Sequence, residues 1–350
     1  MMRPILGDIT NITLGQDLAI SNRAIIPKCF SFIESNASQI KSELKLEQNF
    51  YNSVQLLRLQ RTKNILDLAS SWDDLDQYDD DDPMMCCEYV TDIFEYLYDL
   101  ETKNLPRNYN KYNSTGVLNN NRDVLINWIV RIHQKFQLLE ETLYLCINII
   151  DRFEFHCGVR VDELQLLGIC ALLIACKIEE VFYPSIQNFS LETDGVCSEE
   201  AIKKYEHVIM SGLDYNFMYA NPLNFLRRIS KADGYDNYTR TIAKYLLEIT
   251  AIDSAFIGNL PSLNAATALF FSRKMLKKGP WTKNLIFYSG GYTSKELIPV
   301  CEKIMVFLLK PIVHEDFHRK YQSRTYYKAS IICSEWAEKM VKRRSKMSFE

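Results

Sequence analysis

The chain has 350 residues, 47% of them hydrophobic, and 41 Lys+Arg against 44 Asp+Glu leave a formal charge of −3. That length suits roughly two domains with packed cores, and the slightly acidic balance lacks the basic footprint of a nucleic-acid binder. No apolar run reaches the roughly 18 residues of a membrane span, the opening MMRPILGDITN has no apolar leader stretch, and ten scattered cysteines without a CxxC read as the reduced thiols of a cytosolic or nuclear protein.

Residues 1–40 show no periodicity and are expected to be disordered. Residues 42–70 are compatible with a helix. The run WDDLDQYDDDDP, 72–83, is an acidic block closed by a proline, the pattern of a solvated linker. Beyond it Met85, Tyr89, Ile93, Tyr96 and Leu100 recur at helical spacing, which predicts an amphipathic helix over 84–100.

From residue 121 onward the chain predicts helix after helix: NRDVLINWIVRIHQKF, EETLYLCINIIDRF, DELQLLGICALLIACKIEE and SEEAIKKYEHVIMSGL. The third is apolar nearly all round and so belongs at the centre of its bundle. The fourth opens on Ser198, a good N-cap followed by glutamates. The pattern then returns. QLLGICALLIACK ends at Lys177 and SLNAATALFFSRK at Lys274, and the same offset carries Trp128 onto Phe225 and Ile149 onto Leu246. A period this long indicates two copies of one helical domain of roughly 100 residues, each wrapped around an apolar helix. The stretch FHRKYQSRTYYKASIICSEW adds a C-terminal extension with a last helix.

Little in the chain suggests catalysis. HEDFH, His314 to His318, matches the HExxH pattern of zinc peptidases, but no third ligand accompanies it and we expect it to be inert. There is no P-loop, no GxGxxG before a helix, no nucleophile elbow, and neither HRD nor DFG. Lys177 stands apart because it closes an apolar run, where an ammonium needs a partner or a path to water.

The doubled helical domain resembles the cyclins, and within them the B-type group, nearest the S-phase branch of fungal B-type cyclins. Arg122, Asp151, Leu166, Lys177 and Glu206 stand where that family has its characteristic first-domain residues, and NRDVLINWIV, ETLYLCINIIDRF, ACKIEEVFYP and NPLNFLRRISKADGYD agree around them. The match covers residues 84–340. The resemblance implies an all-α fold of two tandem cyclin-box domains of about five helices each, with flanking helices. It divides the chain into a disordered regulatory tail with an acidic linker (1–83), a first cyclin box with its preceding helix (84–217), a second cyclin fold (218–340) and a basic tail (341–350).

The resemblance further implies an activator and not an enzyme, without cofactor or metal. Its partner would be a cyclin-dependent kinase bound through Lys177, Glu206, Phe182 and Glu180 together with the helix at 84–100. Arg122 and Asp151 would form a structural ion pair. Asn121, Val124, Leu125, Trp128, Arg131, Leu164 and Gln165 would form an exposed apolar patch docking substrates with Arg-x-Leu motifs. Two of them depart from the family pattern: Asn121 replaces a methionine, and Arg131 replaces an acid, which weakens attraction for a basic motif. RPILGDITN resembles a destruction box, with Arg3, Leu6 and Asn11 in place for capture by a ubiquitin ligase. KRRSK, 342–346, is either a nuclear import signal or a solvated basic tail. Nucleus and cytoplasm are the expected locations, with neither membrane nor direct nucleic-acid contact. One rival is a transcription-factor or pocket-type protein built on the same doubled domain, but the former should bring a Cys-rich zinc ribbon and a basic face; the other, a zinc peptidase, rests on HEDFH alone.

Overall fold

The structure, a computed structural model, describes residues 37–68, 71–79, 81–107 and 117–342, with side chains from residue 52 in the first stretch and from 121 in the last. Arg3, Leu6 and Asn11, and the KRRSK segment past Lys342, lie outside the described residues.

Among the described residues there are fourteen α-helices and no strand. Helices α1 (Ala37–Asp67) and α2 (Val90–Lys103) precede the repeats. The first repeat comprises α3 (Val117–Lys135), α4 (Glu140–Cys157), α5 (Leu164–Glu179), α6 (Ile186–Leu191) and α7 (Glu199–Gly212). The second comprises α8 (Pro222–Lys231), α9 (Asn237–Ile252), α10 (Pro261–Met275), α11 (Lys283–Tyr288) and α12 (Ser294–Leu309). Helices α13 (Glu315–Gln322) and α14 (Ala329–Lys342) complete the chain. The offset of 97 seen in three helices extends to the whole repeat: α6 and α11 start and end 97 residues apart, and so do the ends of α7 and α12.

Each repeat is organised around one helix that is buried almost throughout. Leu167 through Cys176 of α5 are buried, and so are Ala265 through Arg273 of α10. The approach of α3 to α5 depends on Gly168, where a Cβ would sit 2.7 Å from Leu125 Cδ1 and 3.2 Å from Ile129 Cδ1. Helix starts follow their caps: Ser198 Oγ accepts from the Ala201 amide at 3.2 Å, Asp236 accepts from Tyr238 and Thr239, and Thr293 with Glu296 forms a capping box.

The helix compatible with residues 42–70 is present within α1, whereas the acidic run departs from the expected solvated linker. Helix α1 docks its C-terminal part onto the second repeat. Buried Arg61 donates from Nε to the Gly290 carbonyl at 2.8 Å and from Nη1 to Glu101 of α2 at 3.2 Å. The second Glu101 oxygen accepts from the Ser262 amide at 3.0 Å, so α1, α2 and α10 share one buried polar cluster. The acidic run then lies along α8 and α11. Trp72 stacks on Phe287 at 3.5 Å, Asp76 receives Arg228 through both carboxylate oxygens and Lys231 at 2.7 Å, and Asp79 pairs with Lys231. These contacts hold the Asp76 carboxyl below its usual range, against the opposing pull of burial. The run is a strap because its counter-charges lie about 150 residues away on α8, a pairing no local charge pattern discloses. The predicted helix over 84–100 also begins later, at Val90, after two 3-10 turns.

The C-terminal extension completes both repeats at once. Asp151 of α4 has Glu248 of α9 as its 97-residue counterpart, and Glu248 takes its cation from α13: Lys320 Nζ lies 2.9 and 2.7 Å from its two oxygens, and Tyr321 donates at 2.6 Å. The same helix meets the first repeat, where Asn127 of α3 accepts from the Asp316 amide at 3.1 Å.

His133 on α3 gives the fold a pH dependence. Its Nε2 hydrogen-bonds the Leu139 carbonyl at 2.7 Å and its Nδ1 has no partner. Burial, with Lys320 nearby, pushes its pKa from 6.5 to about 4, against the weaker opposing effects of the Leu139 bond and of Glu140 and Glu180. The unfolded chain therefore binds the extra proton first as pH falls. The stabilisation from a neutral His133 is complete above pH 6.5 and is lost toward pH 4. The loss amounts to about 3 kcal/mol at 1.36 kcal/mol per unit of pKa. Denaturant unfolding at pH 7 and pH 4.5 should show a smaller decline for His133→Leu than for the parent; equal declines would remove His133 as the cause.

Candidate functional site

Lys177, at the end of α5, meets Glu206 of α7 within the first repeat. Helix α5 runs buried to Cys176 and then surfaces, so Lys177 is the first side chain able to reach water. Its Nζ lies 2.5 Å from Glu206 Oε1 on α7, with the lysine side chain 35% exposed and the glutamate 11%. A lysine whose apolar stem follows a buried helix while its head meets a carboxylate at the boundary satisfies both halves of the side chain. Beyond it the chain turns away from the core at Glu180, and Ile178, Val181, Phe182 and Tyr183 stand exposed, Phe182 by 91%. A contiguous apolar stretch left open beside an ion pair is the composition of an association surface. Helix α2 and the residue before it carry another exposed row, Tyr89, Ile93 and Tyr96, while Phe94, Leu97 and Tyr98 of α2 pack inward.

Glu180 makes contacts within the first repeat. Its Oε1 accepts from the Leu139 amide at 2.7 Å and the Thr142 hydroxyl at 2.5 Å. It therefore caps the start of α4, supplying a carboxylate where the helix exposes amides and its positive dipole end.

Arg122 and Asp151 meet as a buried two-point pair, Nε to Oδ1 and Nη2 to Oδ2 both at 2.9 Å. Sequence reasoning missed the rest of this arrangement. The remaining guanidinium hydrogens go to the last carbonyls of α9, Ala251 at 2.8 Å and Ile252. Arg122 thus caps the C-terminus of a helix in the other repeat, where a cation also meets the negative dipole end.

The expected exposed patch is mostly core. Trp128 is 3% exposed, and Leu125, Leu164 and Gln165 are equally buried. Trp128 and Leu125 face Gly168 of α5, and the close helix contact leaves no surface for them. Of the residues expected in the patch, only Val124, Arg131 and, in part, Asn121 reach solvent along α3. Gln165 keeps a buried carbonyl oxygen, Oε1, without a hydrogen-bond partner. The HEDFH run is divided by its helix start. His314 precedes α13 with Nε2 3.5 Å from Asp123 Oδ1, and among the described residues no three His, Cys, Asp or Glu side chains are grouped to hold a metal.

Comparison with known proteins gives a consistent picture. The family model described as Cyclin, N-terminal domain, matches residues 92–218, and that described as Cyclin, C-terminal domain, matches 220–335. G2/mitotic-specific cyclin-2 of Saccharomyces cerevisiae is 58% identical over 271 residues, 77% of this chain and 55% of that protein. G2/mitotic-specific cyclin cig2 of Schizosaccharomyces pombe is 37% identical over 338 residues, 94% of this chain and 80% of that protein. The chain therefore spans a little over half the length of some relatives it matches. A viral cyclin from herpesvirus saimiri shares the fold with a TM-score of 0.51 at 19% identity, over 59% of this chain and 96% of the viral one. With two tandem five-helix repeats, both cyclin domain models matched in tandem, and fungal G2/mitotic cyclins as relatives, the chain belongs to the cyclin family, in its B-type group.

Proposed function

We propose that this chain is the activating subunit of a cyclin-dependent protein kinase, driving progress through S phase and the G2–M transition in nucleus and cytoplasm. The observation that carries the reading is the Lys177–Glu206 pair, set at the emerging end of a buried helix beside the open side chains of Ile178, Val181, Phe182 and Tyr183. The chemistry is the partner's. The cyclin seats the kinase's regulatory helix, completing the Lys–Glu and Mg²⁺ arrangement that phosphoryl transfer requires. The energy for that shift comes from an interface of the usual size, about 1,200–2,000 Å² or more. A purified cyclin-dependent kinase, inactive alone, should phosphorylate a simple peptide on addition of this chain. Failure to bind or stimulate any such kinase from the same cells would overturn the reading.

Substrate recruitment, in this reading, uses the solvent-facing edge of α3, with Val124 and Arg131 as its contact residues and Trp128 as the core residue that supports them. A cation at 131 repels a basic docking motif. Arg131→Glu should therefore raise affinity for an Arg-x-Leu peptide several-fold, about 0.5–1 kcal/mol for an exposed pair, and leave phosphorylation of a motif-free peptide unchanged. Unchanged peptide binding would place the docking surface elsewhere.

The segment RPILGDITN sets lifetime in this scheme, through a ubiquitin ligase of the cell cycle. Arg3→Ala with Leu6→Ala should lengthen the half-life at mitotic exit without altering kinase activation. An unchanged half-life in cells that degrade other B-type cyclins would count against it.

A further inference from the structure

The first turns of α2 have little packing of their own. From Tyr89 to Tyr96 only Val90 and Phe94 are partly covered, and the other side chains are exposed. The later turns are better held: Tyr98 stacks on Phe225 at 5.2 Å, Leu100 is buried, and Glu101 takes Arg61. A helix end with so few buried contacts opens easily unless something outside it holds it in place. This end nevertheless presents Tyr89, Ile93 and Tyr96, spaced four and three residues apart, as one exposed row.

The acidic strap supplies the hold. Arg228 of α8 bonds both carboxylate oxygens of Asp76, with Nη2 to Oδ2 at 2.6 Å. A two-point bond of this kind fixes the plane of the guanidinium. Its central carbon then lies 5.2 Å from the centre of the Phe94 ring on α2 and 4.5 Å from that of Tyr288 on α11. One cation thus joins the strap, α2 and α11, and each ring face attracts it. The Tyr288 hydroxyl accepts from the Leu75 amide at 2.7 Å, and Trp72 anchors the start of the strap on Phe287. The Arg228 and Lys231 side chains are only 12% and 9% exposed in their pairs with Asp76. These are not the solvated surface pairs that contribute next to nothing. Two short 3-10 turns, 83–85 and 87–89, lead from the strap into α2.

We infer that residues 72–79 position the first turns of α2 for the kinase, with Arg228 as the positioning residue that joins the strap to Phe94. The inference rests on the proposed function, in which the row of Tyr89, Ile93 and Tyr96 adds to the surface around Lys177. The contribution is preorganisation: a row already ordered in the free chain need not be ordered at the moment of binding. Release of the strap loosens α2 at this end and lowers the fraction of the chain that is competent to bind. The apparent Kd rises in inverse proportion to that fraction. The bound state is unchanged, so the activity of the saturated complex is unchanged too.

Asp76→Asn with Asp79→Asn releases the strap in the full chain, and two readouts follow it. Hydrogen–deuterium exchange of the free protein should accelerate about tenfold or more over residues 90–96 and stay parental over α5 and α7, because the loss of order is local. Affinity for a purified cyclin-dependent kinase should fall about tenfold, the result of a competent fraction near one in ten, with phosphorylation of a simple peptide at saturating cyclin unchanged. Trp72→Ala is the second variant. It leaves the ion pairs of Arg228 in place, removes the stack on Phe287, and should move both readouts in the same direction. Parental exchange over α2 in the double variant would overturn the inference. So would faster exchange spread evenly over both repeats, which would make these ion pairs a general support of the fold. Trp72→Ala without effect on α2 would take the positioning role away from the strap. If the parent binds the kinase and the double variant binds as tightly, this inference alone falls; a parent that binds no such kinase brings down the proposed function as well.

Discussion

Arg122→Ala should destabilise the isolated chain by about 3–5 kcal/mol, the usual result of stripping one partner from a buried ion pair. Three losses coincide. Asp151 becomes a buried carboxylate with no cation, since its guanidinium partner supplied two bonds of 2.9 Å. The terminal carbonyls of α9 at Ala251 and Ile252 lose their donors. The volume of a side chain only 1% exposed becomes a void between the repeats. Denaturant unfolding measures the sum, and Arg122→Ala with Asp151→Asn apportions it. The double variant has no orphaned charge, so it should recover part of the stability and leave the cost of the α9 carbonyls. A single variant within 1 kcal/mol of the parent would mean that the contact is solvated and holds nothing together.

In the proposed complex, Lys177→Ala should weaken binding to the kinase by roughly thirty-fold or more. Removing one partner of a pair desolvated by an interface costs about 2–5 kcal/mol, with each decade of affinity worth about 1.4 kcal/mol. In the free chain the lysine head is a third exposed, so water compensates Glu206 in part and the fold should persist with a loss of about 1 kcal/mol or less. Affinity by titration and thermal unfolding of the free variant separate the two roles. Parental affinity would take Lys177 out of the interface; ready unfolding would make it a core residue. Lys177→Arg is a useful companion, because it preserves charge while its planar fork no longer offers a point ammonium.

The central helices of both repeats were legible because their signal is one-dimensional: a run such as GICALLIAC can only be buried, and its return 97 residues later fixes the register. Lys177 and Glu206 were paired by resemblance to a family, and the geometry then brought their atoms together. What escaped is what depends on partners distant in sequence. Asp76 looked solvated because Arg228 and Lys231 lie 152 and 155 residues away. The α9 carbonyls that Arg122 caps are backbone atoms, which carry no residue-type signal at all. Trp128 failed as a surface residue for a steric reason: Gly168 lets α3 sink against α5 until the indole has no exposed face. Glu180 also bonds the first turn of α4, a contact with a backbone amide that residue types alone do not disclose.

The placement of Lys320 bears on how many cooperative units the chain contains. By architecture there are two repeats, yet the second ends at Leu309 with Glu248 buried and its cation still to come from α13. That same helix hydrogen-bonds Asn127 on the first repeat. A fragment stopping after α12 would hold a buried carboxylate with nothing to neutralise it, and would lose Tyr321 and Phe317 from its side of the core. The two architectural domains consequently share one closing segment, and heat or denaturant should take them apart in a single transition, not two.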